Sequence, residues 1–145
     1  MIGKADCDAL FKAVIPMATP LVDQFGEFYP FAMTMDRQGA IAGLSASPSS
    51  DRPSVDDVWT SLRNSLRDLA TSGKLRAAAV CVNTKITMGD AVRDAITVFV
   101  EHEDGLALEV VVPYRRAGEG RVEYDATMAR PSGPRSPGIF ARVAH

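Results

Sequence analysis

The chain has 145 residues, of which 46% are hydrophobic and 23% charged, with a formal net charge of -2. These values are typical of a single soluble domain whose core needs neither a disulfide nor a metal. They disfavour a nucleic-acid-binding protein, which usually carries a basic excess, and an anionic membrane as partner. Asp6 and Asp8 stand where a signal peptide would be apolar, so a cytoplasmic protein with reduced Cys7 and Cys81 is expected.

The first helical pattern covers residues 8–25, where apolar residues recur every three or four positions. Pro16 and Pro20 fall inside this pattern, and an internal proline removes a hydrogen bond and clashes with the preceding turn. The sequence therefore predicts a kinked helix or two short helices, ending at Gly26.

Residues 28–45 alternate as the two strands of a hairpin, with a turn at residues 36–39. This pattern places Ala40 opposite Met35 and Leu44 opposite Phe31. A Ser- and Pro-rich loop follows, up to residue 53.

The clearest helix begins after Ser54, because residues 54–57 resemble a capping box with Asp57 in the glutamate position. Gly73 closes the helix. One apolar stripe follows its length and comprises Val55, Val58, Trp59, Leu62, Leu66 and Leu69.

The strongest pattern is a hairpin over residues 95–114, preceded by a strand at about residues 76–86 and followed by alternation over residues 121–128. A two-residue loop would leave both faces of the hairpin mixed. A three-residue loop at residues 103–105 instead gives one continuous apolar face. Because a one-residue slip turns every side chain over, the buried pattern selects the three-residue loop.

The predicted order of elements is α-β-β-α-β-β-β-β. It indicates an α+β fold in which an antiparallel sheet of five to six strands carries its helices on one face. Profilin-like and roadblock-like domains have comparable orders, a likeness of shape that implies no function. One domain is expected over residues 1–129, with a Pro/Gly-rich, irregular C-terminal tail over residues 130–145.

Catalytic signatures are absent: the sequence contains no phosphate-loop, dinucleotide, zinc or nucleophile-elbow motif. No catalytic residue, metal site or cofactor is predicted. The triplet at residues 101–103, Glu-His-Glu, is the one cluster that suggests acid–base chemistry. Strand alternation points both glutamates away from His102, which favours an ordinary hairpin end. A site that joins Cys81 to His102 has no supporting spacing.

The second face of the hairpin provides a candidate interface formed by Phe99, Val111, Arg93, Arg115 and Glu109. Charge pairs on a sheet face are common and contribute only about 0.2–1 kcal/mol each. The two apolar residues are less ordinary there. They indicate that this face is covered, either by a second protomer or by the C-terminal tail.

The run at residues 26–32, GEFYPFA, together with residues 94–96, 101–102 and 113–115, resembles a group of small bacterial proteins of uncharacterised function. The likeness covers most of residues 8–116. It implies a bacterial source and a shared α+β fold. It implies no activity and no catalytic residue.

The expected function is therefore a non-enzymatic interaction or structural module that forms a homodimer. The expected partner is thus a second copy of the chain or, failing that, another protein. Neither a nucleic acid nor a membrane is expected as partner. One alternative is a small-ligand-binding protein or enzyme with a pocket between the helix at residues 54–72 and the sheet, lined by Met33, Met35, Trp59 and Tyr114. A further alternative is a bacterial immunity-type protein.

Overall fold

The computed structural model describes residues 2–45, 53–133 and 136–140. Its helices and strands are α1 (Ile2–Phe25), β1 (Phe31–Asp36), β2 (Ile41–Leu44), α2 (Val55–Thr71), β3 (Leu75–Met88), β4 (Ala91–His102), β5 (Ala107–Arg116), β6 (Val122–Tyr124) and β7 (Met128–Pro131). The strands form one antiparallel sheet in the order β2-β1-β3-β4-β5. Strands β6 and β7 both pair with the outer edge of β5, β6 with its C-terminal end and β7 with its N-terminal half. The α+β prediction is confirmed. The described residues form seven strands, because the segment expected as one final strand divides into β6 and β7.

Helix α1 is one continuous helix and begins earlier than predicted, so the expected break at the prolines was wrong. Lys12, Pro16 and Pro20 are all exposed and lie four residues apart, on the solvent side of the helix. The carbonyl groups that the prolines leave without a partner therefore face water. On the opposite side the helix packs on the sheet through fully buried residues, namely Leu10, Val14, Ala18 and Val22. This packing outweighs the local cost of the prolines.

Helix α2 begins and ends as predicted. The Asp57 N–H donates to the Ser54 side chain at 3.0 Å, and the Ser54 N–H donates to the Asp57 carboxylate at 3.3 Å. Gly73 follows the helix with a φ of 72°, a left-handed conformation that favours glycine. The capping box thus fixes the start of α2, and Gly73 its end.

Replacement of Ser54 by alanine is expected to lower the free energy of unfolding by about 1 kcal/mol, because the first turn of α2 loses its side-chain acceptor. Chemical denaturation measures the change. Thr60, an exposed residue on the same helix, provides the control. Thr60→Ala should leave the stability unchanged or slightly raise it, since alanine is the better helix former. Equal losses in the two variants would contradict the role of the capping box.

The register predicted for the β4–β5 hairpin is confirmed, with Val100 opposite Leu108 and Ile96 opposite Val112. In the β1–β2 hairpin the predicted register was wrong by one residue, since Met35 lies opposite Ile41. The loop there has three residues and ends at Gly39, whose φ is 89°. Both hairpins therefore use the same kind of three-residue loop with a left-handed glycine.

The helices cover opposite faces of the sheet, which corrects the expectation that both lie on one face. Helix α1 packs on the face that contains Ala79, Cys81 and Val98, and α2 packs on the face that contains Val80 and Phe99. The cause is visible in the centre of the sheet. Every residue of β3 from position 77 to position 82 is buried, and a strand that is apolar on both faces needs cover on both.

The C-terminal segment at residues 136–140 docks on the α2 face. The backbone N–H groups of Gly138 and Ile139 donate to the Glu101 carboxylate at 2.9 and 2.8 Å, and the Ser136 hydroxyl donates to it at 2.7 Å. Ile139 is buried in the same apolar cluster as α2. The Arg67 guanidinium also donates to two carbonyl groups of this segment. Upstream, β7 runs to residue 131, beyond the expected start of the tail.

Candidate functional site

The two apolar residues of the predicted interface are buried inside this chain. Phe99 is 3% exposed and Val111 2% exposed. The Phe99 ring meets the Trp59 ring of α2 edge-on, with centroids 5.6 Å apart, and Ile139 belongs to the same cluster. The cover over Phe99 therefore comes from α2 and the C-terminal segment. Met128 of β7 lies opposite Val111 in the sheet.

The three charged residues of the predicted interface each meet an opposite charge within the sheet. Arg93 bonds to Asp125, and Arg115 lies 3.0 Å from Glu123. Glu109 is buried and bonds to Arg130 of β7. The structure thus uses these charges to join β4 and β5 to the outer strands.

The pocket expected between α2 and the sheet does not form from the predicted residues. Met33, Met35 and Tyr114 belong to the α1 face, whereas Trp59 belongs to the α2 face. They lie on opposite sides of the sheet because α1 and α2 do. Helix α2 packs on the sheet through its own buried residues, Val58, Leu62 and Leu66, and Val58 also lines a groove at the start of the helix.

His102 belongs to a buried polar cluster that joins α1 to the β4–β5 hairpin. Its Nε2 lies 2.8 Å from the Asp6 carboxylate, and its Nδ1 accepts from the Asp104 N–H at 3.1 Å. The Asp104 carboxylate also lies 3.2 Å from Nδ1. Arg76 donates to Asp6 at 3.0 Å. Burial raises the pKa of Asp6, but hydrogen bonds from His102 and Arg76 and their charges outweigh it and hold that pKa below 3.8.

This cluster has the geometry of a structural link between elements. His102 is 4% exposed, so a substrate has no access to its ring. Burial, with the nearby charges of Asp104 and Asp6, raises the pKa of the Cys7 thiol to about 12, which removes it as a nucleophile at neutral pH. The glutamates beside His102 point elsewhere, as predicted: Glu101 binds the C-terminal segment, and Glu103 pairs with Arg37.

The most distinctive surface lies where α1 ends, β1 begins and α2 begins. Large apolar side chains are exposed there: Met17 is 52%, Phe25 63%, Tyr29 54% and Val55 56% exposed. Partly buried apolar residues complete the surface. We call this surface the apolar corner, and it consists of Met17, Leu21, Phe25, Phe28, Tyr29, Leu44 and Val55.

Two grooves shape the apolar corner. The larger has a volume of about 620 Å³ and extends from α1 to the end of β2, and the smaller has a volume of about 470 Å³ and reaches Val55 and Asn83. Both are lined by Phe25 at the end of α1 and by residues 27–30 of the linker, which joins α1 to β1 over residues 26–30. Tyr29 ties this linker to the start of α2, since its hydroxyl donates to the Pro53 carbonyl at 2.9 Å.

The architecture explains why these side chains are exposed. Helix α1 lies over β1, β3 and β4, so its flank at Met17, Leu21 and Phe25 extends towards the short edge strand β2. Strand β2 has only four residues, and Ile41, like its neighbours up to residue 43, is exposed. The sheet therefore ends before it covers this flank.

Sequence reasoning missed the apolar corner. Met17, Leu21 and Phe25 recur every four residues, so apolar periodicity assigns them to the buried stripe of the first helix. Phe28 and Tyr29 were counted as strand residues, although β1 begins at Phe31. The available signal was the width of the apolar pattern, because eleven apolar positions over residues 8–25 exceed what one helix face presents to a sheet.

No protein-family model matches this chain, and no curated protein or solved structure matches it either. Among the residues that the structure describes, no helix combines the length and apolarity needed to cross a membrane. Within the same ranges, no three His, Cys, Asp or Glu side chains are placed to hold one metal ion.

Proposed function

We propose that this protein is a non-enzymatic interaction module that acts through the apolar corner. The single observation that carries the proposal is the exposure of four large apolar side chains around two grooves, at 52–63% of their surface. A contiguous apolar patch that remains in contact with water favours a binding surface, whereas scattered apolar residues need no explanation.

The anatomy of the patch fits protein recognition. Interface cores are enriched in aromatic residues and methionine, and the apolar corner contains three aromatic residues and Met17. Its grooves can receive side chains from a partner, and the exposed Phe25 can enter a pocket on that partner. A second copy of the chain and a different protein both belong to this class of partner.

A cytoplasmic location is part of this proposal. Cys7 and Cys81 are both free and buried, an arrangement compatible with a reducing compartment, where disulfides are rare.

Site-specific photocrosslinking in cells tests the proposal. A benzophenone amino acid at position 25 or 29 is expected to give one discrete covalent product. The same amino acid at position 92 is the matched control, because Val92 is 67% exposed but lines neither groove. Mass spectrometry of the product identifies the partner.

The purified partner then allows a quantitative measurement. Phe25→Ala is expected to raise the Kd of the complex with this partner by roughly 30-fold. This factor corresponds to the loss of an aromatic anchor that contributes about 2 kcal/mol. Val92→Ala should leave the Kd unchanged. Crosslinks that form equally at positions 25, 29 and 92, or a Kd that Phe25→Ala does not alter, would contradict the proposal.

A further inference from the structure

Among the described residues, the charged residue that lines the grooves of the apolar corner is acidic. Glu27 lines both grooves, and no lysine or arginine lines either of them within the described residues. Val55, which lines the smaller groove, is followed directly by Asp56 and Asp57. The sequence contains no basic residue over positions 13–36 and none over positions 53–62.

The partial charges at the ends of the two helices do not reverse the negative charge of the grooves. Helix α1 directs its C-terminal end, which carries a partial negative charge, towards the corner, and it has no basic residue in its last turn. Arg116 compensates part of that charge by donating to the Val22 carbonyl at 3.0 Å. At the other helix, the positive N-terminal end of α2 meets Asp56 and Asp57 in its own first turn.

We propose that the apolar corner binds a segment of another protein in which apolar side chains are flanked by lysine or arginine. This inference rests on the proposed function and specifies its partner. Apolar side chains of such a segment would enter the two grooves on either side of the linker at residues 26–30. Its cationic groups would meet Glu27, Asp56 and Asp57, an arrangement that steers encounter and rejects acidic competitors.

The same charges disfavour a second copy as the occupant. In a twofold interface the same patch meets itself, so Glu27, Asp56 and Asp57 of each copy would face carboxylates with no cation lining the grooves. Juxtaposed like charges cost several kcal/mol. An anionic membrane is disfavoured for the same reason, since carboxylates and lipid phosphates repel one another.

Two short synthetic peptides test the inference, with identical leucines and either lysines or glutamates between them. Fluorescence anisotropy with the full-length protein measures each Kd at low salt. The lysine peptide is expected to bind at least about tenfold more tightly than the glutamate peptide. This preference should fall as salt is raised, because the Debye length shrinks from about 30 Å at 0.01 M to about 10 Å at 0.1 M.

Charge-reversal variants locate the effect. Glu27→Lys is expected to raise the Kd of the lysine peptide by up to about fivefold, which corresponds to the loss of one exposed charge pair. Asp90→Lys is the matched control, because Asp90 is exposed in the β3–β4 turn, seven residues beyond Asn83 of the smaller groove. It should leave the Kd unchanged.

The outcomes separate this inference from the proposed function. Equal Kd values for the two peptides, both raised by Phe25→Ala, would overturn the basic partner and leave the interaction module standing. If neither peptide bound, the basic partner would be overturned. If Phe25→Ala altered neither Kd, the basic partner would be overturned and the proposed function would be contradicted as well. Self-association abolished by Phe25→Ala, or binding to phosphatidylserine vesicles abolished by it, would also overturn the basic partner.

Discussion

Replacement of Glu101 by glutamine is expected to lower the free energy of unfolding by about 2–3 kcal/mol and to release residues 136–140 from the sheet. The carboxylate is 5% exposed and accepts from the Ser136 hydroxyl and from the backbone of Gly138 and Ile139. Glutamine keeps the size of the side chain but replaces one acceptor oxygen with an amide donor. At least one buried donor would then lose its partner.

Chemical denaturation measures the stability of this variant, and hydrogen exchange at the Ile139 amide reports release of the segment. Glu103→Gln is the matched control two residues away, because Glu103 is exposed and pairs with the exposed Arg37. It should cost less than about 1 kcal/mol. Slow exchange at Ile139 in both variants would show that Glu101 does not hold the segment.

Asp6→Asn is the second substitution with a large expected effect, a loss of about 2–3 kcal/mol at neutral pH. It removes the negative charge between His102 and Arg76 and replaces one of the two acceptor oxygens of this buried cluster with an amide donor. The loss lies near the lower end of the range for buried pairs because 28% of the Arg76 side chain is exposed. Asp8→Asn, on the exposed side of the same helix, should change stability by less than about 0.5 kcal/mol.

The pH dependence of this difference has a definite sign. The folded-state pKa of Asp6 lies below the ordinary value of 3.8, so its contribution is fully present above about pH 4. That contribution is lost as the pH falls through the folded pKa, since the unfolded state then binds more protons. The stability gap between the wild type and Asp6→Asn should therefore shrink below pH 4. A gap of constant size down to pH 2 would contradict the role assigned to Asp6.

The pattern of buried residues was enough to predict the β4–β5 hairpin from sequence. One face of that hairpin is continuously apolar in only one register, and Gly105 suits the loop that this register requires. The β1–β2 hairpin lacks such a constraint. Strand β1 carries Phe31, Ala32, Met33 and Met35, so both of its faces are apolar and a one-residue slip leaves the pattern unchanged.

Tertiary packing determined two features of the fold that local sequence rules did not predict, the continuity of α1 and the face that α2 covers. Pro16 and Pro20 predict a broken helix from local chemistry alone, yet both face solvent in a continuous α1. The two-sided cover of the sheet was partly visible in the sequence, because Phe99 lies on the face expected to be polar. The sequence did not show that α2 provides this cover. That conclusion depends on the chain crossing to the other side of the sheet, which apolar periodicity does not encode.

The width of the apolar pattern in the first helix indicated surplus apolar residues, but which of them are exposed could not be predicted, because exposure depends on where the sheet ends. Phe25 has the spacing of a core residue, and only the short edge strand β2 leaves it in contact with water. Apolar periodicity reports which residues share a face, and it gives no measure of how far the opposing layer extends.

Hydrogen exchange on the complex with the crosslinked partner tests the central claim most directly. Binding at the apolar corner should slow exchange in the linker at residues 26–30, at the end of β2 and in the first turn of α2. Residues 128–131 of β7, which pair with the outer edge of β5 and line neither groove, should exchange at the same rate in the free and bound protein. Protection confined to residues 128–131, with no change in the linker, would contradict the account.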